Sequence, residues 1–149
     1  MRVWQYTTLN TDEVGGVEGH ISAVSRELRG LGHEVYVGKD LWGAHFKQSS
    51  DPLIIHTHGD LWPDPRMILK VKRDKNAYWI HVYHGTTVGR VIAGKKFLSL
   101  SGWKGSLRDF LPGKLAKAVI AVSNQALAEA KLYFRISQPA TVIPNGVDP

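Results

Sequence analysis

Three short runs of the chain bring together residue types that can do chemistry. His84-Gly85-Thr86-Thr87 closes an aromatic and β-branched run, Tyr78–His84. A histidine where a strand leaves its sheet can donate to sugar hydroxyls or phosphate oxygens, and it titrates near neutrality. The glycine after it frees the backbone to bend toward a ligand. The competing reading of His84 is a half-buried imidazole bonded to a neighbouring carbonyl. His81, of opposite parity and mid-strand, reads as structural.

The second run is His56-Thr57-His58-Gly59-Asp60. Alternate strand residues face the same way, so His56 and His58 can share a ligand. The spacing resembles the opening of a zinc-hydrolase motif, H-x-H-x-D, in which a further histidine should follow; Leu61 stands there instead. A metal-dependent hydrolase using His56, His58 and Asp60 is therefore the weakest reading, and two histidines lining a cleft or packing beneath it is the stronger. The third run is Asp12-Glu13-Val14-Gly15-Gly16-Val17-Glu18-Gly19. Gly15 and Gly16 allow close backbone approach, and the helix behind them offers free N–H groups to an anion. The run is neither a G-x-G-x-x-G fingerprint nor a P-loop, and a plain tight turn explains it equally well.

These runs need elements to hold them, and the sequence alternates strand-like with helix-like segments. Strands are expected at Val3–Thr7, Glu34–Val37, Leu53–His58, Tyr78–His84, Ala118–Val122 and Thr141–Ile143. Val17, Ile21, Val24, Leu28 and Leu31 form one helical stripe, with Gly32 as a left-handed stop. A second helix is expected from Asp64 as N-cap and Pro65 at the first position. Ser106 and Asp109 suggest a capping box for a short helix over Leu107–Leu111, interrupted by Pro112-Gly113. A last helix follows Ser123, with Leu127, Ala130 and Phe134 on one face. Gly85–Gly105 lacks clear periodicity and reads as a long loop. The expected fold is α/β, a Rossmann-like parallel sheet with helices on both faces. All three runs then fall at the carboxyl ends of strands, where such sheets bind ligands.

Composition narrows the function. The chain has 149 residues and no cysteine, which implies one domain and excludes thiolate catalysis, disulfides and iron–sulfur clusters. No apolar run is long enough to span a bilayer, and the N-terminus reads as a strand rather than a signal peptide, so a cytoplasmic setting is expected. Nineteen basic against 13 acidic residues give a net charge of +6. Seven basic residues and a single acid, Asp109, fall between His84 and Lys117. That excess is either a solvated face or a surface for anionic lipid or a phosphorylated substrate, with contact at the inner face of a membrane as one outcome. Nucleic acid is not expected, because no interleaved aromatic motif accompanies the charge.

Five fragments in order resemble the N-terminal domain of family 4 glycosyltransferases of the GT-B fold. They are Gly15-Gly16-Val17-Glu18 with the helix to Gly32-His33-Glu34-Val35-Tyr36-Val37; Ile54-Ile55-His56-Thr57-His58; Val82-Tyr83-His84-Gly85-Thr86; Ala118-Val119-Ile120-Ala121-Val122-Ser123; and Val142-Ile143-Pro144-Asn145-Gly146-Val147-Asp148. The last, which in that family closes the N-terminal domain at the hinge, is the most distinctive.

The resemblance implies that residues 1–149 form the acceptor-binding half of a retaining enzyme. That enzyme would move a sugar from a nucleotide-sugar to a glycan or lipid-linked acceptor, as in cell-surface polysaccharide synthesis. A C-terminal domain with a paired-glutamate E-x7-E motif would hold the donor. It is not in this chain, where Glu129 and Asp148 are the only acids after Asp109, so the isolated domain is expected to be inactive. The resemblance gives His84 the catalytic role, orienting and stabilising the transferring sugar by hydrogen bonds. It gives substrate contacts to Gly15, Gly16, His58, Gly85, Thr86 and Asn145, and implies neither cofactor nor divalent metal. Gly19-His20 departs from the family's usual pair after Gly-Gly-x-Glu, which leaves acceptor choice open. A stand-alone carbohydrate- or phosphate-binding module is the alternative of a different class.

Overall fold

The computed structural model describes residues 1–8, 16–39, 51–59, 62–86 and 100–145. Ten elements alternate along them: β1 (Arg2–Tyr6), α1 (Gly16–Gly30), β2 (Glu34–Val37), β3 (Leu53–Thr57), α2 (Pro65–Arg73), β4 (Ala77–Tyr83), α3 (Leu100–Leu115), β5 (Ala118–Ala121), α4 (Asn124–Phe134) and β6 (Ala140–Val142). Every expected strand is present to within a residue or so at its ends. The six strands pair in parallel, in the order β2-β1-β3-β4-β5-β6. β2 lies on one side of β1 and β3 on the other, so the winding reverses there. Ligands of open α/β sheets usually bind at such a reversal, here beyond the carboxyl ends of β1 and β3.

Burial explains why the strands read as they do. β1 is buried at all five positions, as expected of a parallel strand covered on both faces. One face carries Trp4, Ile55 and Trp79, which pack with Leu53, Met67 and Val71 in a core beneath α2. Further along the sheet Tyr83, Val119 and Ala121 pack with Ala126, Ala130 and Phe134 of α4. The opposite face carries Gln5, His56 and Ile80 in one register row.

Helix ends follow local chemistry. Asp64 caps α2 by accepting from the Arg66 backbone N–H at 2.7 Å, with Pro65 at the first position. Ser123 caps α4 by accepting from Ala126 N–H at 3.1 Å. Gly32 stops α1 with φ +80, a backbone that a side chain disfavours.

Two expectations are corrected. Leu31, placed last on the α1 stripe, is 72% exposed, because the helix ends at Gly30 and the Gly32 turn rotates Leu31 away. The short helix broken at Pro112-Gly113 is instead α3, running from Leu100 through both residues to Leu115, with Ser106 in its interior rather than at a cap. Tertiary packing outweighs the proline here: Pro112 and Gly113 are buried, and Gly113 lies against Tyr83 and Ile136. The loop expected over Gly85–Gly105 therefore ends by residue 100, and residues 87–99 lie outside the described residues. Among the described residues no helix is long and apolar enough to cross a membrane.

Candidate functional site

β3 and β4 end side by side, and each is followed at once by a histidine. His58 comes directly after β3 and His84 directly after β4. Their rings meet, with His58 Nδ1 3.2 Å from His84 Nε2. The other nitrogen of His58 reaches β1, where Nε2 lies 2.7 Å from Gln5 Oε1. An amide oxygen can only accept, so His58 donates through Nε2. His20, one turn into α1, stands over the pair, its ring centroid 5.1 Å from His84 and 6.2 Å from His58. His56 completes the group, 6.3 Å from His58. Elements β1, α1, β3 and β4 thus converge on one spot at the carboxyl edge of the sheet.

Burial fixes the electrostatics. Gln5 is fully buried and His58 is 6% exposed. Burial pushes the His58 pKa well below its ordinary value, and the neighbouring His56, His84, His20 and His81 push the same way. His56 is pushed down to about 4, chiefly by burial and secondarily by His20. Burial also lowers His20. At neutral pH these three rings are uncharged, each with one N–H donor and one lone pair. His81, expected to be structural, is buried on the opposite face, with Nδ1 2.7 Å from Thr57 Oγ1. Thr57 also accepts from Trp79 Nε1 at 2.9 Å.

The turn after His84 depends on a glycine. Gly85 is exposed, holds φ +146, and a Cβ there would meet nothing within 4 Å among the described residues. Only glycine adopts that backbone without strain. Thr86 then turns inward and is buried, its hydroxyl donating to Glu129 Oε2 at 2.6 Å. Glu129 is held in turn by Gln125 Nε2 at 2.9 Å, so the turn is tied to α4.

A family model described as Glycosyltransferase Family 4 matches residues 39–149. The chain belongs to that family. The matched stretch covers His58, His84 and the strands that carry them, and a parallel Rossmann-like sheet is the fold the resemblance implied. No curated protein matches the chain. As a glycosyltransferase domain of the GT-B type, it acts with a sugar donor and an acceptor.

Within this family 4 domain the expected site residues separate. His58, His84 and Gly85 lie together, and Gly16 opens the helix that delivers His20, with no atom of the described residues within 4 Å of where a Cβ would stand. Thr86 is adjacent, but its hydroxyl is spent on Glu129. Asn145 is exposed just past the edge strand β6, which β5 separates from β4, at about 10 Å for two strand spacings. Gly15 and Asp60 lie outside the described residues. Among the described residues no group of three or more His, Asp or Glu side chains could hold a metal ion.

Gln5 is the residue of this cluster that the sequence reading did not single out, and His20 was noted there only as part of the Gly19-His20 departure from the family's usual pair. Gln5 had a signal: it is the one amide in a strand otherwise made of arginine, valine and aromatic residues. A polar side chain in a doubly covered strand needs a partner. His20 lies one helical turn past Gly16.

Proposed function

We propose that this domain is the acceptor-side half of a retaining glycosyltransferase. It would work with a nucleotide-sugar donor held mainly by a C-terminal domain outside residues 1–149, and on its own it would not transfer sugar. The observation that carries this reading is the convergence of His20, His58 and His84 at the carboxyl edge of β1, β3 and β4, with Gly85 beside them.

The uncharged rings of His20, His56 and His58 around His84 favour a role in orientation and hydrogen bonding over one in nucleophilic attack. A donor placed where charge develops on the leaving diphosphate, or on a hydroxyl of the transferring sugar, lowers the barrier without itself changing protonation state. His84 is the residue assigned that contact. Gly16 would let backbone N–H groups of α1 approach the diphosphate, and the acceptor would be a glycan or lipid-linked sugar of the cell surface. The enzyme would then sit at the inner face of a membrane. The outward face of α3, with Lys104, Leu107, Phe110, Lys114 and Leu115 exposed, supports peripheral contact with anionic lipid there.

The test is His84→Ala in the complete enzyme, assayed against a panel of nucleotide-sugars. Turnover should fall by ~10²-fold or more, the scale of losing one well-placed polar group in a transition state. Wild-type turnover in the variant removes His84 from the reaction. No turnover or binding of any nucleotide-sugar by the wild-type enzyme removes the reading itself.

A further inference from the structure

We infer that Gln5 and His58 are positioning residues that fix which nitrogen of His84 carries its proton. The relay runs in one direction. Gln5 Oε1 accepts from His58 Nε2 at 2.7 Å, which puts the single proton of a neutral His58 on Nε2 and leaves its Nδ1 as an acceptor. His84 Nε2 faces that Nδ1 at 3.2 Å and must donate to it. His84 is thereby held with its proton on Nε2.

This matters because the two edges of the His84 ring are not equivalent. Nδ1 is closed off from solvent, while the residue as a whole is half-buried, so a ligand that bonds to a ring nitrogen of His84 must do so at Nε2. The bond to His58 is at the long end of the hydrogen-bond range, which lets an arriving oxygen share or take the N–H. With Gln5 in place that edge is a donor, suited to a phosphate oxygen or a sugar oxygen bearing developing charge. Without the Gln5 acceptor, His58 is free to carry its proton on Nδ1 and point it at His84. His84 Nε2 would then have to accept, and the site would offer a lone pair where the substrate needs a donor. Gln5 is therefore a polarity switch built into β1: it touches no substrate and acts through two rings. The inference rests on the role of His84 proposed above, but its test does not.

The test is nitrogen-15 NMR of the His84 ring in the full chain without substrate, at mildly alkaline pH. Bare and protonated ring nitrogens have well-separated shifts. The wild type should show His84 protonated on Nε2 and bare on Nδ1. Gln5→Met, close in size and without the amide acceptor, should give a mixture of the two tautomers, and so should His58→Phe. A wild-type His84 protonated on Nδ1 overturns the inference, since it would mean that the Gln5 amide turns its nitrogen to His58. Unchanged His84 tautomers in both variants overturn it as well. If either variant fails to fold, the wild-type spectrum alone still decides the direction of the relay. Failure here leaves the proposed activity standing, because His84→Ala tests that separately.

Discussion

Lowering the pH from 7 to 5 should destabilise this domain through its buried histidines. His56 is pushed down to about 4 and His81 to about 3, both chiefly by burial, and His58 lies well below its ordinary value for the same reason. In the unfolded chain each returns to about 6.5. For a base whose folded pKa is depressed, the unfolded state takes up protons first as the pH falls. The stability contributed by the neutral ring is complete above about pH 6.5 and is lost progressively down to the folded pKa. The slope approaches about 1.4 kcal/mol per pH unit for each histidine. From pH 7 to 5, His56 and His81 each forfeit about 2 kcal/mol, about 4 kcal/mol together, against a typical total of about 5–15.

Urea titrations at the two pH values measure this directly. With a slope of about 2 kcal/mol per molar, the midpoint should drop by about 2 M, and His58 should add to the loss. Ordinary carboxylates titrate near pH 4, so most of their contribution falls outside this window. In His81→Leu one titrating group is gone, and the pH dependence should flatten by about one proton whatever the variant does to stability at pH 7. A midpoint that stays level between pH 7 and 5, or a variant with the wild-type slope, would show that these rings are not held neutral by burial.

Two further outcomes check the packing and the surface. Gly113→Ala should lower the melting temperature, because its Cβ would stand 2.5 Å from the Tyr83 hydroxyl and 3.1 Å from Ile136 Cγ2; overpacking of this kind costs about 1–3 kcal/mol, and an unchanged melt refutes the close approach. The chain should co-sediment with anionic vesicles at low salt and dissociate as salt rises, given the lysines on the exposed face of α3; equal sedimentation with neutral vesicles refutes the membrane contact.

The fold was legible where burial imposes a residue type. Strands covered on both faces must be apolar and β-branched, and runs such as Leu53-Ile54-Ile55 and Ala118-Val119-Ile120-Ala121 announce themselves. Caps are local chemistry, so Asp64-Pro65 and Ser123 could be placed from a few residues each. α3 was misjudged because its continuity depends on a non-local partner: local propensity breaks the helix at Pro112, whereas packing against Tyr83 and Ile136 carries it onward. The site divides in the same way. His58 and His84 stand out as histidines at strand ends beside glycines. Gln5 becomes meaningful only once β1 is known to lie next to β3, and His20 only once α1 is seen to cross that face. Neither adjacency is written in a local pattern.

The strand order also makes the histidine cluster depend on long-range contacts. Gln5 and His58 are 53 residues apart in sequence, and His58 and His84 are 26 apart. Contacts that span so much chain close loops whose entropy must be overcome before the contact stabilises anything. A chain that has formed only its local helices, without β1, β3 and β4 side by side, holds ordinary, independently titrating imidazoles. The depressed, directionally protonated ring belongs to the finished sheet alone, so the protonation state of His58 doubles as a reporter of when β1, β3 and β4 have come together.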